Sequence, residues 1–216
     1  QRKIFREALM AKRGIITVIS APSGCGKNTV ISEVKSLHDD FDYVVSATTR
    51  EIRGNEREGV DYFYKTEAEF DRLVESGEIL EWDTYQNNRY GTLRSQIEEK
   101  IKSGKNLMLD LTISGALAVK EAFPDDTVTV FLLPPSLEEL RKRLQLRGRE
   151  SQEQIEKRIE TAISDEIPQV YKFDNIIVND VVSVAGAELL AIIKAEKLKY
   201  KRNQEIINAL GLKGEN

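Results

Sequence analysis

Between residues 21 and 29 the chain reads Ala21-Pro22-Ser23-Gly24-Cys25-Gly26-Lys27-Asn28-Thr29. Gly24, Gly26 and Lys27 fall at the spacing of the phosphate-binding pattern G-x-x-x-x-G-K-[ST]. Glycines let backbone N–H groups close around an anion, and the N-terminus of a following helix adds its dipole. The lysine brings a point charge to the outer phosphates. The chemistry predicted for Ser23, Gly24, Cys25, Gly26, Lys27, Asn28 and Thr29 is therefore capture of a nucleoside triphosphate. Two positions depart from the pattern: Ala21 stands where the first glycine is usual, and Asn28 replaces the hydroxyl residue that ordinarily meets Mg2+. Asn28 can still offer an amide oxygen, directly or through water. Cys25 reads either as a reactive thiol or, more simply, as a small side chain in a tight turn.

Such a loop needs a buried strand before it and a helix after it. Residues 14–20, GIITVIS, form a short and nearly continuous apolar run, as expected of a strand buried on both faces of a parallel sheet. Residues 27–37 read as the helix. Further strands are predicted at 43–47, 106–111, 128–133 and 175–179, with helices at 93–102, from Ser136 to about Arg147, after a break at 147–151 a polar one to about Ile167, and at 184–198. Pro134-Pro135 stops one strand, and Ser136 with Glu138 and Glu139 supplies an N-cap and an acidic first turn. Residues 50–92 differ in character, being rich in charge, glycine and tyrosine. Strand-like pieces at 62–64 and 79–82 enclose a helical piece at 67–75, which suggests an inserted subdomain. Alternating strands and helices predict an α/β fold with helices on both faces of a parallel sheet, ligands binding at the strand carboxyl ends.

The chain has 216 residues, 31% charged and 40% hydrophobic, with a net charge of -4. That suits one globular domain. Nucleic acid is a disfavoured partner, because wrapping its backbone needs a dominant basic surface. Cys25 is the sole cysteine, so no intrachain disulfide can form and a reducing compartment fits. Residues 1–13 are mixed and charged, without the apolar centre of a signal peptide. No stretch reaches the roughly 20 apolar residues of a membrane span. The expected location is cytoplasmic, and the expected oligomeric state a monomer or homodimer.

Beyond the phosphate loop, residues 46–54 (SATTREIRG), 59–64 (GVDYFY), Glu81-Trp82 and Tyr90-Gly91-Thr92 resemble the guanylate kinase family in order and spacing across roughly residues 14–197. The resemblance implies a P-loop parallel sheet flanked by helices, with an inserted GMP-binding subdomain and a mobile lid. It implies transfer of the γ-phosphoryl group of ATP, with Mg2+, to GMP or dGMP. The implied organisation is an N-terminal extension at 1–13, a core at 14–49, 93–142 and 159–197, a GMP-binding insertion at 50–92, a lid at 143–158 and a tail at 198–216.

The residues make chemical sense beside the resemblance. Arg50 and Arg53, three apart, offer planar donors suited to a phosphate; the resemblance adds the phenols of Tyr62 and Tyr90. A carboxylate can accept both guanine donors, N1–H and the exocyclic amine, and the resemblance makes that carboxylate Glu81, with the hydroxyls of Ser46 and Thr92 on the base. Alone, Glu81 also reads as an exposed strand residue and Thr92 as a helix N-cap. Arg143, Arg147 and Arg158 match the family's lid arginines, although Arg143 and Arg147 sit four apart and could pair with Glu139. Asn179 resembles an adenine-contacting asparagine, or is a polar turn residue beside Asp180. Asp110 reads as a metal ligand acting through water or as a strand-end turn residue.

One departure stands out. The family pattern D-x-D-x-Q-G reads Asp110-Leu111-Thr112-Ile113-Ser114-Gly115 here, so Thr112 replaces a carboxylate associated with the GMP site and Ser114 a glutamine. Weaker GMP binding or looser base discrimination is expected. Two other classes share parts of the pattern: a guanylate-kinase-like binding module for phosphopeptides, and a kinase for a phosphorylated sugar. Retention of Lys27 and the lid arginines weighs against the first; Glu81 and its hydroxyls would have no base to read in the second.

Overall fold

The computed structural model of the chain describes residues 13–38, 40–148 and 151–209. Among these, nine strands occur: β1 (Ile16–Ser20), β2 (Phe41–Asp42), β3 (Ala47–Thr48), β4 (Phe63–Tyr64), β5 (Ile79–Tyr85), β6 (Asn88–Leu93), β7 (Asn106–Asp110), β8 (Thr127–Leu133) and β9 (Asn175–Val178). The helices are α1 (Lys27–Leu37), α2 (Glu67–Glu75), α3 (Arg94–Lys102), α4 (Ile113–Ala122), α5 (Leu137–Arg147), α6 (Gln152–Thr161), α7 (Val182–Leu198) and α8 (Gln204–Ala209).

The central sheet is parallel throughout, in the order β2-β7-β1-β8-β9. Every residue of β1 is buried, as its apolar run predicts. On one face, α1 and α7 pack Val30, Val34, Leu189 and Ile193 onto the sheet. On the other, α3 and α4 bring Ile97, Ile101, Ala116 and Val119. The phosphate loop leaves β1 at the centre of this sheet.

A second sheet, in the order β4-β3-β6-β5, carries the inserted residues. Its core is Ala47, Phe70, Ile79 and Leu93. Helix α2 begins with a capping box between Thr66 and Glu69, which fixes its start at the predicted residue. Strands β5 and β6 form a hairpin whose turn holds Gln86 and Asn87 at φ 47° and 63°.

Four features differ from the sequence reading. The strand predicted at 43–47 is two shorter strands: β2 pairs with β7 in the central sheet, whereas β3 pairs with β4 and β6 in the second. The apolar pair Val44-Val45 spans the crossing between sheets. Strand β6 and helix α4 were not anticipated. The long polar helix ends at Thr161 and passes into a π-turn, Ala162–Glu166, and a 3-10 turn, Ile167–Lys172. Pro168 has no N–H to continue an α-helix, and the Ile167 N–H reaches back five residues to the Ala162 carbonyl instead. Part of the tail is ordered: Arg202 donates to the Gly14 carbonyl and sits within 3.6 Å of Asp126. Residues 1–12 of the expected N-terminal extension lie outside the described residues. No helix among the described residues is long and apolar enough to cross a membrane.

Candidate functional site

At the carboxyl ends of β1 and β7 lies a cavity of about 750 Å³, lined by Ser20 to Asn28, by Asp110, Thr112, Ile113 and Ser114, and by Arg147, Asp165, Glu166 and Lys172 among others. The loop holds its shape through left-handed backbone at Gly24 (φ 98°) and Gly26 (φ 82°), and Gly26 is the N-cap of α1. A Cβ on Gly24 would stand 2.9 Å from Leu144, so the glycine also allows α5 to close over the loop. Cys25 is buried against Leu140, Leu144, Ile155 and Ile159. Burial pushes its thiol up to about 12, with Glu166 adding to the effect, so it stays protonated. The small-side-chain reading of Cys25 is the one that fits.

Lys27 reaches across the cavity floor. Its ammonium pairs with Asp110 and donates to the Leu111 carbonyl at 3.3 Å. Asp110 therefore does more than end a strand: it is the counter-charge of the loop lysine. Asn28 and Thr29 are exposed on the first turn of α1, and Asn28 lines the cavity. Arg158, from α6, donates to the Ser23 hydroxyl at 2.7 Å. Arg147 lines the cavity from the end of α5, whereas Arg143 donates to Glu139 at 3.0 Å and to the Asn179 carbonyl at 2.9 Å. The pairing with Glu139 foreseen for both arginines is thus seen for Arg143. Asn179 is 1% exposed and stands behind the loop rather than on the cavity wall.

A second cluster gathers in the inserted sheet. The Arg50 guanidinium, buried beneath the rings of Tyr62 and Tyr64 at 5.3 and 5.9 Å, makes two bonds of 3.0 and 2.7 Å to the Glu56 carboxylate. The Tyr64 hydroxyl and the Arg53 backbone N–H also donate to Glu56, at 2.8 and 2.9 Å. Arg50, with Tyr64 behind it, holds the Glu56 carboxyl down at about 2. Tyr90 packs edge-on to Tyr62 at 5.8 Å, which completes an aromatic wall. Arg53 is exposed, and the Ser46 carbonyl accepts from the Phe63 N–H. Sequence reasoning missed Glu56 and Tyr64. The signal was the spacing of Glu56, three residues after Arg53 and six after Arg50, which returns it to the same turn.

Glu81 connects the two clusters. It is half-buried on β5 and accepts a hydrogen bond from the Thr92 hydroxyl on β6. Thr92 is therefore a strand residue; the cap position of α3 belongs to Leu93. Burial raises the Glu81 carboxyl above its usual range, against the opposing bond from Thr92. Glu81 rests on Gly115 in the first turn of α4, immediately after Ser114, which lines the phosphate cavity. Thr112 caps that helix, accepting from the Gly115 N–H at 3.2 Å, and meets the Ser114 hydroxyl at 3.1 Å. The two residues that depart from the family pattern thus sit between the clusters. Glu166, on the π-turn, was also missed: it is half-buried at the cavity, and its carboxyl is raised by burial and by Asp165.

Comparison with known proteins places the chain in a family. The family model for guanylate kinase matches residues 13–196. The guanylate kinase of Oceanobacillus iheyensis is 43% identical over 194 residues, covering 90% of this chain and 93% of that protein. That of Streptococcus agalactiae is 44% identical over 194 residues, covering 89% and 92%. A crystal structure of guanylate kinase from Anaplasma phagocytophilum superposes with a TM-score of 0.64 at 29% identity, covering 93% of this chain and 97% of that one. The family model extends through both sheets and the residues between them, and the relatives match at over 40% identity, so this chain belongs to the guanylate kinase family.

Proposed function

We propose that the chain transfers the γ-phosphoryl group of ATP to GMP, and to dGMP, by direct displacement. The observation that carries the reading is the position of Glu81. It is a half-buried carboxylate in the second sheet, seated on the helix whose first residues line the phosphate cavity. A guanine presenting N1–H and its amine to Glu81 would lie beside the loop that takes ATP. Thr92 holds the carboxylate for this role, and Ser46 immediately precedes β3, the strand that pairs with the β6 strand of Thr92. Arg50, Arg53, Tyr62 and Tyr90 would take the GMP phosphate.

The acceptor is a phosphate oxygen, already anionic near neutral pH, so no general base is required. Catalysis is positioning and charge neutralisation of a loose phosphoryl transition state. Lys27 and the backbone of residues 23–29 hold the ATP phosphates; Arg143, Arg147 and Arg158 neutralise the transferring group. Residues 143–158 act as the lid and residues 50–92 as the GMP-binding unit, their closure excluding water from a group that would otherwise hydrolyse. Asn28 and Asp110 offer the hard oxygen donors that magnesium takes alongside phosphate and water, so they fit an ion that arrives with the nucleotide. Among the described residues no cluster of three or more acidic, histidine or cysteine side chains would hold a metal by itself. Bound there, Mg2+ supplies neutralisation of the outer phosphates.

The test is steady-state phosphoryl transfer from ATP to GMP, dGMP, AMP, CMP and UMP. Turnover of GMP and dGMP far above the others is expected. Activity on none of them, with binding of a phosphopeptide, would overturn the reading.

A further inference from the structure

Asn179 resembles a base-reading residue in sequence, yet its surroundings are those of a strut. Its side chain is 1% exposed. Its backbone N–H donates to the Leu133 carbonyl at 2.8 Å, which ties it to the end of β8. Its side-chain Nδ2 donates to the Cys25 carbonyl at 2.7 Å, across 154 positions of sequence. Only the nitrogen of the amide can face a carbonyl oxygen, so the orientation of the group is fixed by its partner. Its Oδ1, the atom left for any other contact, has no partner among the described residues.

The consequence for the loop follows from peptide geometry. The Cys25 carbonyl and the Gly26 N–H belong to one peptide unit, and no cis bond occurs in the described chain. A trans unit points its N–H opposite to its C=O. Anchoring the Cys25 carbonyl on Asn179 therefore turns the Gly26 N–H away from Asn179. Gly26 must also be a glycine for a second reason: a Cβ there would stand 2.6 Å from Asn179 Nδ2. The loop and the strut leave each other no further room.

The same residue meets the lid side of the site. The Asn179 carbonyl accepts from Arg143 Nη1 at 2.9 Å, while Arg143 Nε is held by Glu139 at 3.0 Å. We propose that Asn179 is a positioning residue that fixes the peptide between Cys25 and Gly26 for phosphate capture, and that joins the phosphate loop to Arg143. This deepens the nucleotide-kinase reading and rests on it for the identity of the anion. Its test uses binding rather than turnover, so the two can fail separately.

The experiment is calorimetric titration of Asn179→Ala with inorganic tripolyphosphate, ATP and GMP. Loss of one buried hydrogen bond that shapes an anion site is expected to weaken tripolyphosphate and ATP alike by about tenfold. GMP affinity should stay within twofold of the parent. A fall for ATP with none for tripolyphosphate would assign Asn179 to the base and overturn the proposal. An equal fall for GMP would reduce the effect to general damage and overturn it too. If the variant does not fold, the unaltered chain answers by NMR. The Asn179 side-chain amide resonances should move on adding tripolyphosphate and stay in place on adding adenosine; the reverse pattern rejects the strut.

Discussion

Gly115 gives Glu81 its place: a Cβ built on Gly115 would lie 3.0 Å from Glu81 Oε2 and 3.1 Å from its Cγ. The contact joins the inserted sheet to the first turn of α4, so the carboxylate proposed for guanine is seated by a residue of the central fold. Gly115→Ala must push Glu81 by a few tenths of an ångström, against its bond from Thr92. Such misplacement is expected to raise the KM for GMP roughly tenfold while leaving the KM for ATP nearly unchanged. Steady-state kinetics with each substrate varied in turn checks it; an unchanged KM for GMP would show that Glu81 is not held from this side.

Thr112 occupies the N-cap of α4 and lines the phosphate cavity. Aspartate caps a helix as well as threonine does. Thr112→Asp should therefore fold normally and restore an acceptor next to the GMP site. A gain of up to roughly tenfold in kcat/KM for GMP is expected, the scale of one charge-assisted hydrogen bond. A lower value would mean that the added charge repels the phosphates more than it helps the base.

Glu81 also sets a pH dependence. The role proposed for it in guanine recognition needs its ionised form, and burial raises its carboxyl above the usual value of 4.5. The KM for GMP should thus begin to rise on acidification before ordinary carboxylates titrate. The sign for stability is opposite: a carboxyl raised by folding favours the folded state below 4.5, and that benefit is lost as pH rises through the folded value. Glu81→Gln should accordingly be as stable as the parent or more so at neutral pH, while losing GMP selectivity. Thermal melts and KM profiles from pH 5 to about 8 test both halves.

Glu56 holds Arg50 by two bonds and takes a third from Tyr64. Its carboxyl, lowered to about 2 from 4.5, favours the folded state above 4.5 and loses that effect only as pH falls through about 2. Acid loss of activity near pH 5 should therefore not originate here. Glu56→Gln leaves one amide oxygen for the guanidinium and removes its charge partner. A rise of roughly tenfold in the KM for GMP, with little change for ATP, is the expected result in the same kinetic assay.

What could be read from the sequence was what is decided locally. The glycines and lysine of residues 24–27 need only their own turn; α1 begins at Lys27 and α2 at Glu67, because Gly26 and Thr66 are local caps. Strand β6 was hidden because Asn88, Arg89 and Tyr90 carry no apolar alternation, and its turn uses Gln86 and Asn87 rather than a glycine. The segment at 43–47 looked like one strand because hydrophobicity does not say which of two sheets a residue joins. Arg50 could be named as a phosphate ligand, but its Glu56 clamp depends on the fold of the loop between them. Asn179 could be matched by type, whereas its bond to Cys25 exists only after the last strand has docked.

Two of the cations proposed for phosphate do not wait bare. Lys27 pairs with Asp110 and Arg143 with Glu139. A nucleotide entering the site thus performs an ion exchange, displacing tethered carboxylates instead of neutralising open charge. Two properties follow. The affinity should respond less to ionic strength than the number of basic residues implies, because the electrostatic gain is a difference between two short-range pairings. The site should also be a poor binder of chloride and other small monovalent anions, which cannot outcompete a carboxylate held at high effective concentration. Polyphosphates can, and the tethered acids thereby act as a threshold on the valence of what is admitted.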